Sequence, residues 1–178
     1  SWDGDELRLP PSVMSDLLEG MARLPKRRHP LDLQGNRMYV EERLVKLPDA
    51  ISFEQAACMM LQGLTVHYLL RRTYPVKAGQ TILFHAAAGG VGLLACQWAK
   101  ALGVNLIGTV GSDAKAELAR ANGCDAVINY STEDFVARVL DIAGGAKVDV
   151  VYDAVGKDVF VRSMDCLRPM GWLVSYGA

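Results

Sequence analysis

From about residue 78 onward, apolar positions alternate between two rhythms. Thr81–His85 is a short apolar run after the turn-forming Lys77-Ala78-Gly79-Gln80, which predicts a buried strand. Spacings of three to four at Leu93, Leu94, Gln97, Trp98 and Leu102 predict a helix over 90–102, closed by Gly103. The same exchange then repeats. Strands are predicted over 105–110, 126–129, 148–152 and 171–176, and helices over 112–121, 131–142 and 157–166. Ser112 is placed to cap the second helix, and Ser131 or Thr132 the third, whose Phe135, Val136, Val139 and Leu140 face the core. Strand and helix joined by short loops are the mark of right-handed βαβ units on a parallel sheet. The expected fold class is therefore α/β, a Rossmann-type doubly wound parallel sheet.

Before residue 78 the pattern is less regular. Ser52-Phe53-Glu54-Gln55 opens a helix, and Gly63 to Arg72 continues or restarts one. Val13, Met14, Leu17, Leu18 and Met21 have the spacing of an amphipathic helix between Pro11 and Pro25. We read 1–36 as an unassigned leader, 37–77 as a linker and helices, and 78–178 as the Rossmann domain.

The run Ala87-Ala88-Gly89-Gly90-Val91-Gly92 falls between the first strand and its helix. A dinucleotide fingerprint, G-x-G-x-x-G, needs small residues there for a tight turn, for backbone approach to a pyrophosphate, and for close packing of helix on strand. Alanine stands at the first of those positions, where it resists a positive φ. The context supplies what the pattern lacks, because a helix N-terminus offers unpaired N–H groups and a positive dipole end to phosphate. Ala88, Gly89, Gly90 and Val91 are the candidate pyrophosphate contacts.

The end of the second strand bears on which nucleotide is bound. NAD-specific proteins carry an acidic residue there for the ribose 2′-hydroxyl. Here the tip is Gly111-Ser112, neutral and small, with Lys115 one helical turn on. A lysine attracts a 2′-phosphate that a carboxylate at the tip would repel. Asp113 dissents, and NADPH remains preferred if its side chain caps the helix instead of facing the ribose. The alternative for Lys115 is an ordinary exposed helix lysine.

Composition narrows the class further. A net charge of −1 gives no global case for nucleic acid or acidic membranes, and the local run Lys26-Arg27-Arg28 reads as a solvated turn. Cys58, Cys96, Cys124 and Cys166 form no C-x-x-C pair, as expected of free, mostly buried thiols in a reducing compartment. No apolar stretch is long enough to span a membrane, and the N-terminus has no signal-peptide pattern. A cytoplasmic protein is expected.

Read together, Leu83 to Gly103, Ile107 to Gly111, Val127 to Tyr130 and Val151 to Gly156 resemble the zinc-free quinone oxidoreductase branch of the medium-chain dehydrogenase/reductase superfamily, the group that includes zeta-crystallin. The resemblance covers roughly 39–178. It implies NADPH as cofactor, hydride transfer to a quinone or activated alkene, no metal, and a homodimeric parent enzyme. It places Gly111, Lys115 and Tyr130 at the 2′-phosphate, Val155 and Gly156 beside the nicotinamide ribose, and Ser175, Tyr176 and Gly177 at the nicotinamide. Thr65 lies near the cofactor on the same ground. Tyr130 alternatively covers the sheet edge, and Thr65 alternatively packs within its helix. His85, beside the glycine loop, is expected to be structural, and no residue is assigned as a catalytic acid or base.

Family members also carry an N-terminal GroES-like barrel of about domain size. The residues before Glu41 do not resemble it, and no sixth strand follows the fifth. The expectation is a cofactor domain truncated relative to the family and lacking that barrel. An enoyl-thioester reductase domain of the polyketide synthase type shares the Ala-Ala-Gly-Gly-Val-Gly loop, but Cys96-Gln97-Trp98-Ala99-Lys100 favours the quinone branch. A non-catalytic nucleotide-binding module, with RNA as an occasional partner, is the remaining alternative, and the near-neutral charge argues against RNA.

Overall fold

A computed structural model describes residues 46–177. The amphipathic stretch proposed at Val13 to Met21 lies outside the described residues. The chain divides into two compact units at Leu64/Thr65, and the second holds the whole sheet. In the first, Ser52 and Gln55 cap the helix α1 (Phe53–His67) reciprocally. The Ser52 N–H donates to Gln55 Oε1 at 2.9 Å, and the Gln55 N–H donates to Ser52 Oγ at 3.2 Å.

α1 runs into the second unit at Thr65 and passes there into a π-helical segment, Tyr68–Thr73, so the predicted restart is a widening of the same helix. Tyr152, fully buried in the sheet, donates its hydroxyl between the carbonyls of Leu69 (3.2 Å) and Tyr74 (3.3 Å). The Leu69 carbonyl also accepts the Tyr74 N–H at 3.2 Å, the i→i+5 bond of the widened turn.

Five strands follow, β1 (Thr81–Phe84), β2 (Asn105–Val110), β3 (Ala126–Asn129), β4 (Val148–Asp153) and β5 (Leu167–Ser175). All pair in parallel in the order β3-β2-β1-β4-β5, with Ile82 opposite both Leu106 and Val150. Between them lie α2 (Gly90–Ala101), α3 (Asp113–Ala121), α4 (Phe135–Ile142) and α5 (Phe160–Asp165). Strands of such a sheet are covered on both faces and read as continuous apolar runs. Leu83, Ile107, Ile128 and Val151 pack with Phe135 and Val139 of α4 and with Val159 and Cys166, which flank α5. Each such buried aliphatic side chain contributes roughly 1.5–3 kcal/mol. On the opposite face Cys96 of α2 donates to the Ala87 carbonyl at 3.9 Å.

Two boundaries differ from expectation. Ser112 caps α3 as predicted, accepting the Lys115 N–H at 3.4 Å. The cap of α4 is Asp134, whose Oδ1 accepts from the Val136 and Ala137 N–H groups. Ser131 and Thr132 are spent elsewhere, donating to the carbonyls of Gly111 and Asn129. β5 begins at Leu167, four residues early, because Leu167 pairs with Val148 before a register shift and a positive φ of 62° at Met170.

Candidate nucleotide site

The loops after β1, β2, β3, β4 and β5 share one edge of the sheet, the carboxyl edge where open α/β sheets bind ligands. The first loop is built by close approach. A Cβ on Gly92 would lie 2.5 Å from the carbonyl oxygens of both Ala86 and Ala87, so only glycine lets α2 seat on the turn. A Cβ on Gly108 of β2 would meet Ala87 Cβ at 2.6 Å and Cys124 Sγ at 2.8 Å, so this strand glycine makes room for the loop beside it. The left-handed residue is Ala86 (φ 54°), one before the expected Ala87. For an L-residue that conformation costs about 1–2 kcal/mol. It is held by the Gly89 N–H to the Ala86 carbonyl (2.9 Å), while the Ala87 N–H is fixed on the Thr109 carbonyl (3.0 Å).

No side chain caps α2, and its first backbone bond runs from the Leu93 N–H to the Gly89 carbonyl at 2.9 Å. The N–H groups of Gly90, Val91 and Gly92 therefore precede the hydrogen-bonded helix, and Gly89 and Gly90 are exposed. An uncapped, glycine-lined helix N-terminus of this kind suits an anion.

The second corner joins the ends of β2 and β3. Tyr130, half exposed, lies over Gly111, where a Cβ would sit 2.8 Å from the phenol oxygen. Ser131 Oγ donates to the Gly111 carbonyl at 3.0 Å. Gly111, Ser112, Lys115 and Tyr130 thus come together. Lys115 is exposed and, among the described residues, has no carboxylate partner. Asp113 is engaged, its Oδ1 accepting from Asn129 Nδ2 at 2.8 Å.

The third corner lies past β4 and β5. Asp153 is fully buried, and its Oδ1 accepts the N–H groups of Val155 (2.8 Å) and Gly156 (2.9 Å). Among the described residues its Oδ2 has no partner. This turn needs the positive φ of 81° that Gly156 adopts. The Tyr176 N–H donates to the Asp153 carbonyl at 2.9 Å, which brings the β5 end, Ser175 to Gly177, against the β4 loop. Burial raises the Tyr176 phenol pKa, so the ring is neutral near pH 7. Thr65 alone of the predicted residues lies away from the strand ends, half-buried near the C-terminus of α1.

His85 is fully buried, with Nδ1 2.8 Å from Thr109 Oγ1 and Nε2 2.8 Å from Ser163 Oγ. Ser163 gives its only proton to the Val159 carbonyl at 2.8 Å. His85 Nε2 therefore carries the ring hydrogen, and Nδ1 accepts from Thr109. Burial lowers its pKa to about 4, against the opposing pull of the Asp153 carboxylate. With both nitrogens occupied and the ring neutral, His85 ties the β1–β2 pair to α5, as expected of a structural residue.

Gly108, Asn129 and Asp153 were not singled out as site residues. A glycine inside an otherwise β-branched strand signals close backbone approach and was the available clue to Gly108. Nothing in sequence spacing links Asn129 to Asp113.

This parallel sheet, with its glycine turn and converging strand-end loops, defines a Rossmann-type domain. The chain belongs to the zinc-binding dehydrogenase family, whose sequence model matches residues 90–178, and to its quinone oxidoreductase branch. It is 63% identical over 137 residues to a quinone oxidoreductase of Pseudomonas aeruginosa, an alignment spanning 77% of this chain and 42% of that protein. A 2-haloacrylate reductase of a Burkholderia species is 49% identical over 143 residues, 79% of this chain and 43% of the relative. The crystal structure of Escherichia coli quinone oxidoreductase complexed with NADPH superposes with a TM-score of 0.73 at 61% identity, over 75% of this chain and 41% of that one. The chain thus spans less than half the length of these relatives. Although the family is described as zinc-binding, no group of three or more His, Cys, Asp or Glu able to hold a metal occurs among the described residues.

Proposed function

We propose that this chain binds NADPH, and that the whole protein transfers hydride from it to a quinone or another activated alkene. The observation carrying the reading is the corner at the β2 and β3 ends. There Lys115, without a carboxylate partner among the described residues, follows a glycine cleft roofed by Tyr130, while Asp113 is bonded to Asn129 and Glu133 to Arg138. A 2′-phosphate fits that cradle, and the ribose diol of NADH would leave Lys115 without its counter-charge. In this reading the amides of Ala88, Gly89, Gly90 and Val91 take the pyrophosphate, and Gly111, Ser112, Lys115 and Tyr130 take the 2′-phosphate. Val155 and Gly156 line the nicotinamide ribose. Ser175, Tyr176 and Gly177 flank the nicotinamide, and Thr65 lies near the cofactor.

The cofactor supplies the hydride, and the chain holds and orients it. The E. coli relative crystallised with NADPH and the relatives named as quinone and haloacrylate reductases support the cofactor and the acceptor class. The family resemblance supports extending the reading to a cytoplasmic homodimer.

Calorimetric titration of wild type and Lys115→Ala with NADPH and NADH tests the binding step. The expected result is NADPH binding weakened about tenfold or more by the substitution, with NADH little changed. A chain that is folded by circular dichroism yet binds neither nucleotide overturns the proposal.

A further inference from the structure

We infer that Asn129 is a specificity-determining residue for the nucleotide, acting through Asp113. The inference rests on the proposed NADPH site. Asp113 opens α3 two residues past the glycine tip of β2, at the corner where an acidic residue favours a ribose 2′-hydroxyl and repels a 2′-phosphate. It is the one carboxylate between Gly111 and Lys115 in sequence, and Glu133, at the β3 end, is already paired with Arg138 at 2.8 Å. Its behaviour therefore decides whether Lys115 meets a 2′-phosphate alone or beside an opposing charge.

Asn129, 7% exposed at the end of β3, settles that behaviour. Its Nδ2 donates to Asp113 Oδ1 at 2.8 Å, while its Oδ1 accepts the Ser131 N–H at 3.1 Å. Its own N–H donates to Glu133 Oε1 at 3.0 Å, which fixes the backbone from which the amide projects. The amide orientation follows from these partners, since only the NH2 group can face a carboxylate and only the carbonyl can accept from Ser131. Asp113 is thereby drawn to the buried Asn129, whereas the Tyr130 ring that roofs Gly111 is 48% exposed. The carboxylate, though exposed, is held by a neutral donor on Asn129, while Lys115 has no carboxylate partner among the described residues.

Asn129 is thus a positioning residue, and its effect should vanish when Asp113 is absent. The test is a double-mutant cycle on the full chain, reading the ratio of NADH to NADPH dissociation constants by calorimetry. Asn129→Ala should lower the NADPH preference about tenfold, and Asp113→Ala should keep or raise it. The double variant should recover the preference of Asp113→Ala. A purely structural role for Asn129 would lower the preference equally in both backgrounds, and that result overturns the inference.

The exchange of the pair, Asn129→Asp with Asp113→Asn, guards against a variant that fails to fold. It preserves total charge and can rebuild the bond in reverse. It should hold the NADPH preference that Asn129→Asp alone loses, and equal loss in both overturns the inference. A wild-type chain that binds neither nucleotide overturns the parent reading and this one together. A wild-type chain that prefers NADPH, with a preference unmoved by Asn129→Ala, overturns this one only.

Discussion

Asp113 and Asp153 stand at the carboxyl ends of neighbouring parts of one sheet, yet their surroundings differ in every respect. Asp113 is exposed and bonded by one side-chain amide. Asp153 is fully buried, with one oxygen holding two backbone N–H groups and the other without a partner among the described residues. At the first corner the contacts are single, peripheral and replaceable, so nucleotide preference can change there without disturbing the core. At the second a charge is built into the interior to fix the course of a loop. Choice of ligand and placement of ligand are thus assigned to regions of different rigidity.

The largest expected effect comes from acidification and falls on the buried side. His85 titrates near 6.5 when unfolded and at about 4 when folded, so between those values the unfolded chain binds the extra proton. Its contribution is complete above pH 6.5 and is lost as the pH falls to 4, to the extent of on the order of 3 kcal/mol. Urea denaturation across that range should show a slope of about one proton that is absent in His85→Asn. An unchanged slope in that variant would remove His85 from the account.

Next in size is Asp153→Ala, which strands the Val155 and Gly156 N–H groups and should cost about 2 kcal/mol by urea denaturation. Asp153→Asn keeps an acceptor for both and should cost less than about 1 kcal/mol. The contrast between the two corners collapses if Asp113→Ala destabilises as much as Asp153→Ala. The smallest effect on stability should come from Gly111→Ala. The new methyl would meet the exposed Tyr130 side chain, which can swing aside, so the change should stay within about 0.5 kcal/mol. NADPH affinity should nonetheless fall several-fold as Tyr130 leaves its place, and unaltered affinity would take Tyr130 out of the cradle.

The sheet was legible because its signals are local. Ile82 to Phe84, Leu106 to Val110 and Val148 to Tyr152 are apolar runs bounded by turn residues, and Ser112 precedes its helix as a cap should. The misplaced details depended on residues far away in sequence. Ser131 looked like the cap of α4 but is drawn to Gly111, 20 residues earlier, leaving the cap to Asp134. β5 begins at Leu167 because Val148 is beside it, although the apolar pattern placed its start at Gly171. At the proposed site, Gly111, Lys115 and Tyr130 were put forward on the strand-end rule and the family resemblance. Asn129 and Asp153 were passed over because their role is to hold other residues, and the bonds that do so appear only in three dimensions.

The central place of β1 also governs the order in which this chain can fold. The Thr81 N–H donates to the Asp149 carboxylate 68 residues further on, and the His85 N–H to the Tyr152 carbonyl. The strand that leads into the glycine loop therefore waits for a partner made after β2, α3, β3 and α4 have all been synthesised. Closing so long a span carries an entropy cost and slows folding. Until β4 arrives, β1 presents an unpaired edge to other chains. The segment best suited to hold a nucleotide is consequently among the last to be locked during synthesis.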